Sequence, residues 1–146
     1  MSFSQAGDSN VLFQVLDVQY NNPNGWTLFG ELLGLYREIG DGEPIDPGNF
    51  YDWGFLVQGG YMFTRKLEGY VRYDLTNFDG ESNVGDQDTY QEITVGINYF
   101  FKGNNIRMSI DFSWLPDGSP TNLPGLDILT GDENEFVIRG QFQLFI

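Results

Sequence analysis

Apolar residues recur at every second position through most of this chain. From Tyr51 onward the odd positions read Tyr51, Trp53, Phe55, Val57, Gly59, Tyr61 and Phe63, against Asp52, Gly54, Leu56, Gln58, Gly60 and Met62. A period of two is that of a β-strand whose two faces meet different surroundings. Ile106, Met108, Ile110, Phe112 and Trp114 alternate without exception against Asn105, Arg107, Ser109, Asp111 and Ser113. The same pattern, less regular, runs through Val11 to Tyr20, Trp26 to Glu38, Leu67 to Leu75 and Ile93 to Phe101. It closes the chain from Asn134 to Ile146, with Phe136, Ile138, Gly140, Phe142, Leu144 and Ile146 on one side and Val137, Arg139, Gln141, Gln143 and Phe145 on the other. Seven antiparallel strands are predicted. Met1 to Ala6 is short and polar, and is not expected to add an eighth.

The connections alternate in length. Asn21-Asn-Pro-Asn-Gly25, Thr64-Arg-Lys66 and Lys102-Gly-Asn-Asn105 are tight turns rich in Asn, Gly and Pro. Ile39 to Asn49, Asn77 to Asp88 and Leu115 to Glu133 are long, and the first two are strongly acidic. In an antiparallel sheet this puts every long loop at one end, the asymmetry of transmembrane barrels. The strands run to ten or more residues. That is enough to cross a bilayer at a tilt, where strands of soluble domains commonly have about five or six.

Periodicity alone does not say which face is inside. An apolar face turned inward gives a soluble ligand-binding barrel or a sandwich; turned outward, it gives a wall in lipid. The aromatics favour the second arrangement. Trp26, Tyr61, Phe63, Tyr99 and Phe101 fall near the short turns, and Tyr36, Tyr51, Trp53, Tyr73, Trp114 and Phe136 near the long loops, with Leu32, Val57, Val71, Val95, Ile110 and Gly140 between. Aromatic belts flanking an aliphatic band mark a lipid-facing surface.

The charges agree. Arg37, Arg72, Arg107 and Arg139 fall on the opposite face, as do Glu31, Glu68, Asp74, Glu92 and Asp111. An arginine in lipid at the midplane costs roughly 2–4 kcal/mol, so this face is expected to line water. These residues are the candidate pore-lining set. Arg139 and Asp111 are expected at similar heights on neighbouring strands, as a cross-strand pair, with Glu92 and Arg72 a looser one.

Composition narrows the chemistry. The 146 residues contain neither Cys nor His, which removes disulfides, Ser/His/Asp triads and His- or Cys-ligated metal. Paired carboxylates such as Glu31 and Glu68 are what remains for a hydrolase, and nothing in their spacing supports one. No cofactor and no metal site is expected, since no acidic loop has the spacing of an EF-hand. A formal net charge of −14 argues against nucleic acid as a partner. No run approaches 18 apolar residues, so no transmembrane helix is expected. The N-terminal residues lack a basic and apolar leader. An odd strand count and this missing leader lead to the expectation that residues 1–146 form a single domain, the C-terminal portion of a larger outer-membrane barrel.

Particular segments carry a resemblance to a known family. Gly54-Phe-Leu-Val-Gln-Gly-Gly-Tyr-Met-Phe-Thr-Arg-Lys-Leu-Glu68 with Val71-Arg-Tyr-Asp74, then Glu92-Ile-Thr-Val-Gly-Ile-Asn-Tyr-Phe-Phe-Lys-Gly103, and the ending Phe136-Val-Ile-Arg-Gly-Gln-Phe-Gln-Leu-Phe145 resemble the last strands of the phosphate-selective porin O and P family. The resemblance implies an all-β transmembrane barrel of 16 strands in the bacterial outer membrane, trimeric, in contact with lipid and lipopolysaccharide. It also implies that the last strand is read by the outer-membrane insertion machinery, although the chain ends Phe145-Ile146 where a terminal Phe is commonest. It implies a passive diffusion channel for small hydrophilic solutes or ions, including anions such as phosphate. The lumen acids at least match the arginines, which departs from an anion-selective pattern. The alternative function is a structural or adhesive barrel that works through its long acidic loops.

Overall fold

The computed structural model describes residues 2–6, 9–39, 48–79, 89–101, 106–118 and 134–144. The three long connections fall mainly outside the described residues, as do Lys102 to Asn105 and the terminal Phe145-Ile146. Eight strands form: β1 (Ser2–Ala6), β2 (Ser9–Asn21), β3 (Trp26–Ile39), β4 (Gly48–Thr64), β5 (Leu67–Asn77), β6 (Thr89–Phe100), β7 (Ile106–Leu115) and β8 (Glu135–Leu144). They make one antiparallel sheet in chain order, β1 to β8, with no helix among the described residues. The sheet is open, and the backbone of each strand lies next to that of its sequence neighbours alone among the described residues, so no second layer packs on either face there.

The seven predicted strands are all present, and β1 corrects the count. Ser2 to Ala6 pairs with Phe13 back to Ser9. The polar character that spoke against a strand is no obstacle to pairing, because the ladder is made by main-chain N–H and C=O groups that every one of these residues carries. The link from Ala6 to Ser9 lies at the end where the other links are long, so the short and long alternation begins only at β2. The odd count that supported an incomplete barrel is therefore not a property of this sheet.

Strands β2 to β8 have 10 to 17 residues. Their register is continuous, with one irregularity between Met62 and Thr64. Two of the tight turns show how it is set. Gly25 takes a φ of 92°, a conformation open to glycine at little cost; its N–H donates to the Asn22 carbonyl at 2.9 Å, and the Asn24 N–H donates to Asn22 Oδ1 at 2.8 Å. In the second turn, Thr64 Oγ1 accepts from the N–H groups of Lys66 (3.2 Å) and Leu67 (3.1 Å). A turn fixed in this way fixes the pairing, and a slip of one residue would reverse both faces.

Burial separates the faces in the reverse of the usual order. Along β6, Glu92, Thr94, Gly96 and Asn98 are buried while Val95, Ile97 and Tyr99 are exposed. Thr94 and Ser113 are fully buried at 0% exposure, whereas Val95 is 53% and Ile138 78% exposed. Even the hydrophobic residues that are buried, Phe50, Tyr70 and Leu115, stand at positions of the polar face. The apolar face is a continuous exposed surface. One register row of it runs Tyr20, Leu28, Gly59, Val71, Val95, Phe112 and Ile138.

Aromatic side chains cluster on that face. Trp26 packs on Tyr61 with ring centroids 4.7 Å apart, Tyr61 on Phe63 at 5.6 Å, and Tyr99 on Phe101 at 4.8 Å. This assembles the belt expected at the short turns. The other belt is less regular. Phe112 stacks on Phe136 at 5.5 Å, but Tyr73, placed in that belt from sequence, pairs with Val57 of the aliphatic middle and packs on Phe55.

Candidate functional site

On the polar face, side chains from next-nearest strands meet above the strand between them, as they do on the inner side of a curled sheet. Adjacent strands lie about 4.8 Å apart, so strands β5 and β7 are separated by roughly twice that distance. Even so, the Tyr70 hydroxyl of β5 donates to Asp111 Oδ2 of β7 at 3.0 Å, over β6. Beneath it is Gly96, where an added Cβ would lie 2.5 Å from the Tyr70 ring. Thr27 of β3 likewise donates to Glu68 Oε1 of β5 at 3.0 Å. It crosses β4 at Gly60, where a Cβ would lie 2.8 Å from Glu68 Oε1.

Glu92 is the centre of the face. Its Oε1 accepts from Arg139 Nη2 (2.7 Å), Ser113 Oγ (2.7 Å), Thr94 Oγ1 (2.7 Å) and Arg72 Nη2 (3.3 Å), and its Oε2 accepts from the Tyr90 hydroxyl (2.7 Å). Arg72 Nε reaches Asp74 at 2.8 Å, and Arg139 Nε reaches Asp111 at 2.7 Å. The result is one connected network over β5 to β8. Charge-assisted bonds of this kind are the stronger class, each worth roughly 1.5–3 kcal/mol when shielded from water.

The structure thus brings together Arg72, Asp74, Glu92, Asp111 and Arg139 of the sequence-predicted set. Asp111 and Arg139 are direct register partners, as expected. The Arg72–Glu92 contact is also present, and is the longer of the two. The remaining predicted residues share the face but not the network. Arg37 binds Asp52 Oδ2 at 2.6 Å. Arg107 donates to Gln143 at 2.6 Å, with no carboxylate in ion-pair range among the described residues. Glu68 is buried and accepts from Thr27 and from Asn98 (2.9 Å). Glu31 stands opposite Asp17 on β2 and Leu56 on β4, in a different register row from Glu68.

Sequence reasoning left Asp52, Tyr70, Tyr90, Thr94 and Ser113 out of the site. Each has the parity of the polar face, which was a usable signal. Their partnerships depend on curvature, which periodicity does not encode. Among the described residues no group of carboxylates is set to hold a metal ion. The acidic positions of the long connections, Asp41, Glu43, Asp46, Glu81, Asp86, Asp88, Asp127, Asp132 and Glu133, lie outside the described residues.

No family model, curated protein or solved structure matches the chain.

Proposed function

We propose that this sheet is a sector of the wall of an outer-membrane β-barrel, with its apolar face in lipid and its polar face on a water-filled lumen, and that the barrel passes small hydrophilic solutes by diffusion. The single observation that carries this reading is the inverted burial. Exposed apolar patches larger than a few hundred Å² are rare on soluble monomers, whereas here the apolar side of seven consecutive long strands is uncovered and, over β4 to β7, Asp52, Glu68, Glu92, Thr94, Asn98, Ser109 and Ser113 of the polar side are buried. A soluble barrel of the ligand-binding kind needs the opposite arrangement.

The strand lengths and aromatic clusters support the same reading. So does the sheet's open order: β8 and most of β2 carry unpaired outer edges among the described residues, and unpaired edges are not tolerated in the hydrocarbon region. Further strands are proposed to pair there. A wall of about 16 strands, as the resemblance to the phosphate-selective porin O and P family implies, is large enough for an aqueous channel, while about eight strands enclose only side chains.

Liposome swelling tests the proposal. Vesicles containing the full-length protein are expected to swell in small uncharged sugars and not in large ones. Vesicles that stay impermeable to every sugar while the protein is folded in the bilayer would overturn the channel reading.

A further inference from the structure

The charges on the concave face are not evenly compensated. Arg37, Arg72 and Arg139 are each held by at least one carboxylate at 2.6–2.8 Å, so most of the positive charge that an entering anion would meet is already neutralised. The negative charge is not. Among the described residues Glu68 is bonded only by the neutral donors Thr27 and Asn98. Asp17 and Glu31 have no cationic partner among the described residues.

Asp17 and Glu31 are the informative pair. They are direct register partners on neighbouring strands with their side chains on the same face. Like charges opposite each other destabilise a sheet by a few tenths of a kcal/mol or more, so fold stability does not account for the pair. Their setting sharpens the effect. The flanking rows are Val15 opposite Leu33 and Gln19 opposite Phe29, and Leu56 stands across from Glu31 on the other side. Carboxylates framed by low-dielectric side chains project their field into the adjacent water rather than into the wall.

Resting on the lumen assignment above, we propose that the Asp17–Glu31 pair, backed by Glu68, makes this wall favour small cations over anions. The preference is opposite in sign to one set by free arginines. Among the described arginines, Arg107 at the short-turn end of the face and Arg65 in the β4–β5 turn have no carboxylate in ion-pair range, and both stand away from the Asp17–Glu31 row. Rings of side-chain charge are a general means by which pores select between ions.

The test is the zero-current potential of the full-length protein in planar bilayers under a KCl gradient, read beside sugar permeation in vesicles. The potential is expected on the potassium side. Combined Asp17→Asn and Glu31→Gln substitution is expected to lower the potassium-to-chloride permeability ratio by about twofold or more. Both side chains are free of hydrogen bonds to described residues, so these variants are expected to fold as the parent does. A potential at zero or on the chloride side, with sugars still passing, overturns the cation preference and leaves the channel reading intact. An unchanged ratio in the double variant overturns the assignment to this pair. Loss of both ion current and sugar uptake in the parent protein overturns the channel reading and the preference together.

Discussion

The Tyr70 ring of β5 lies directly over the backbone of Gly96 on β6, at a distance that excludes a side chain there. With its hydroxyl on Asp111 of β7, it clasps three strands, and the glycine is what lets it through. Gly96→Ala is therefore expected to destabilise the folded protein by about 1–3 kcal/mol, the usual range for overpacking. In combination with Tyr70→Ala the effect of the second change should be smaller than it is alone. Urea unfolding of the lipid-reconstituted single and double variants reads the coupling, and strict additivity would contradict the clasp.

Glu92 and Arg139 make another long-reach contact, from β6 to β8 at 2.7 Å. Arg139 is 41% exposed at its side chain while Glu92 is 10%, so solvent screens the pair in part and a full buried-pair value does not apply. A double-mutant cycle with Glu92→Gln and Arg139→Gln is expected to give a coupling of about 1–2 kcal/mol. Glu92→Gln alone is expected to cost more than the corresponding change at exposed Asp17, because the amide has no charge for Arg139 and Arg72 and only one acceptor oxygen, so the Tyr90 hydroxyl on Oε2 meets an NH2 donor instead. Equal effects at the two positions would contradict a central role for Glu92.

The strands and their faces were legible in the sequence because a strand with one apolar and one polar face records both in its alternation. Val95, Ile97 and Tyr99 against Thr94, Gly96 and Asn98 fix the face of every residue in β6 once the pattern is seen. The Asp111–Arg139 pair was legible for the same reason, since direct register partners follow from the turns. The contacts of Tyr70 with Asp111, Thr27 with Glu68 and Arg139 with Glu92 were not, because they skip a strand and depend on the curl of the sheet and on a small residue beneath. β1 was missed because its pairing is a main-chain matter that leaves no hydrophobic signature.

Arginine substitution separates the two faces energetically. Val95→Arg, in the middle of the apolar face, is expected to destabilise the protein in a bilayer by roughly 2–4 kcal/mol. Gln58→Arg, on the polar face opposite Arg72, is expected to leave assembly into lipid intact. The measurement is the folded fraction after refolding into vesicles. Similar losses at both positions would contradict the assignment of the faces.

The tryptophans offer a second view of the apolar face. Trp26, Trp53 and Trp114 are all on it and all exposed. In vesicles their fluorescence is expected to be quenched by brominated lipid more strongly than by iodide in the water. Ready quenching by iodide would place this face in water.

The most direct measurement uses β8 and the absence of cysteine from the chain. Single cysteines are introduced along the strand and exposed, in vesicles, to a membrane-impermeant thiol reagent. Val137→Cys, Gln141→Cys and Gln143→Cys are expected to react, and Phe136→Cys, Ile138→Cys and Phe142→Cys to stay protected, so that reactivity alternates with the strand period. Reaction at Ile138→Cys as fast as at Gln141→Cys, or protection of both sets alike, would contradict a wall with lipid on one face and water on the other.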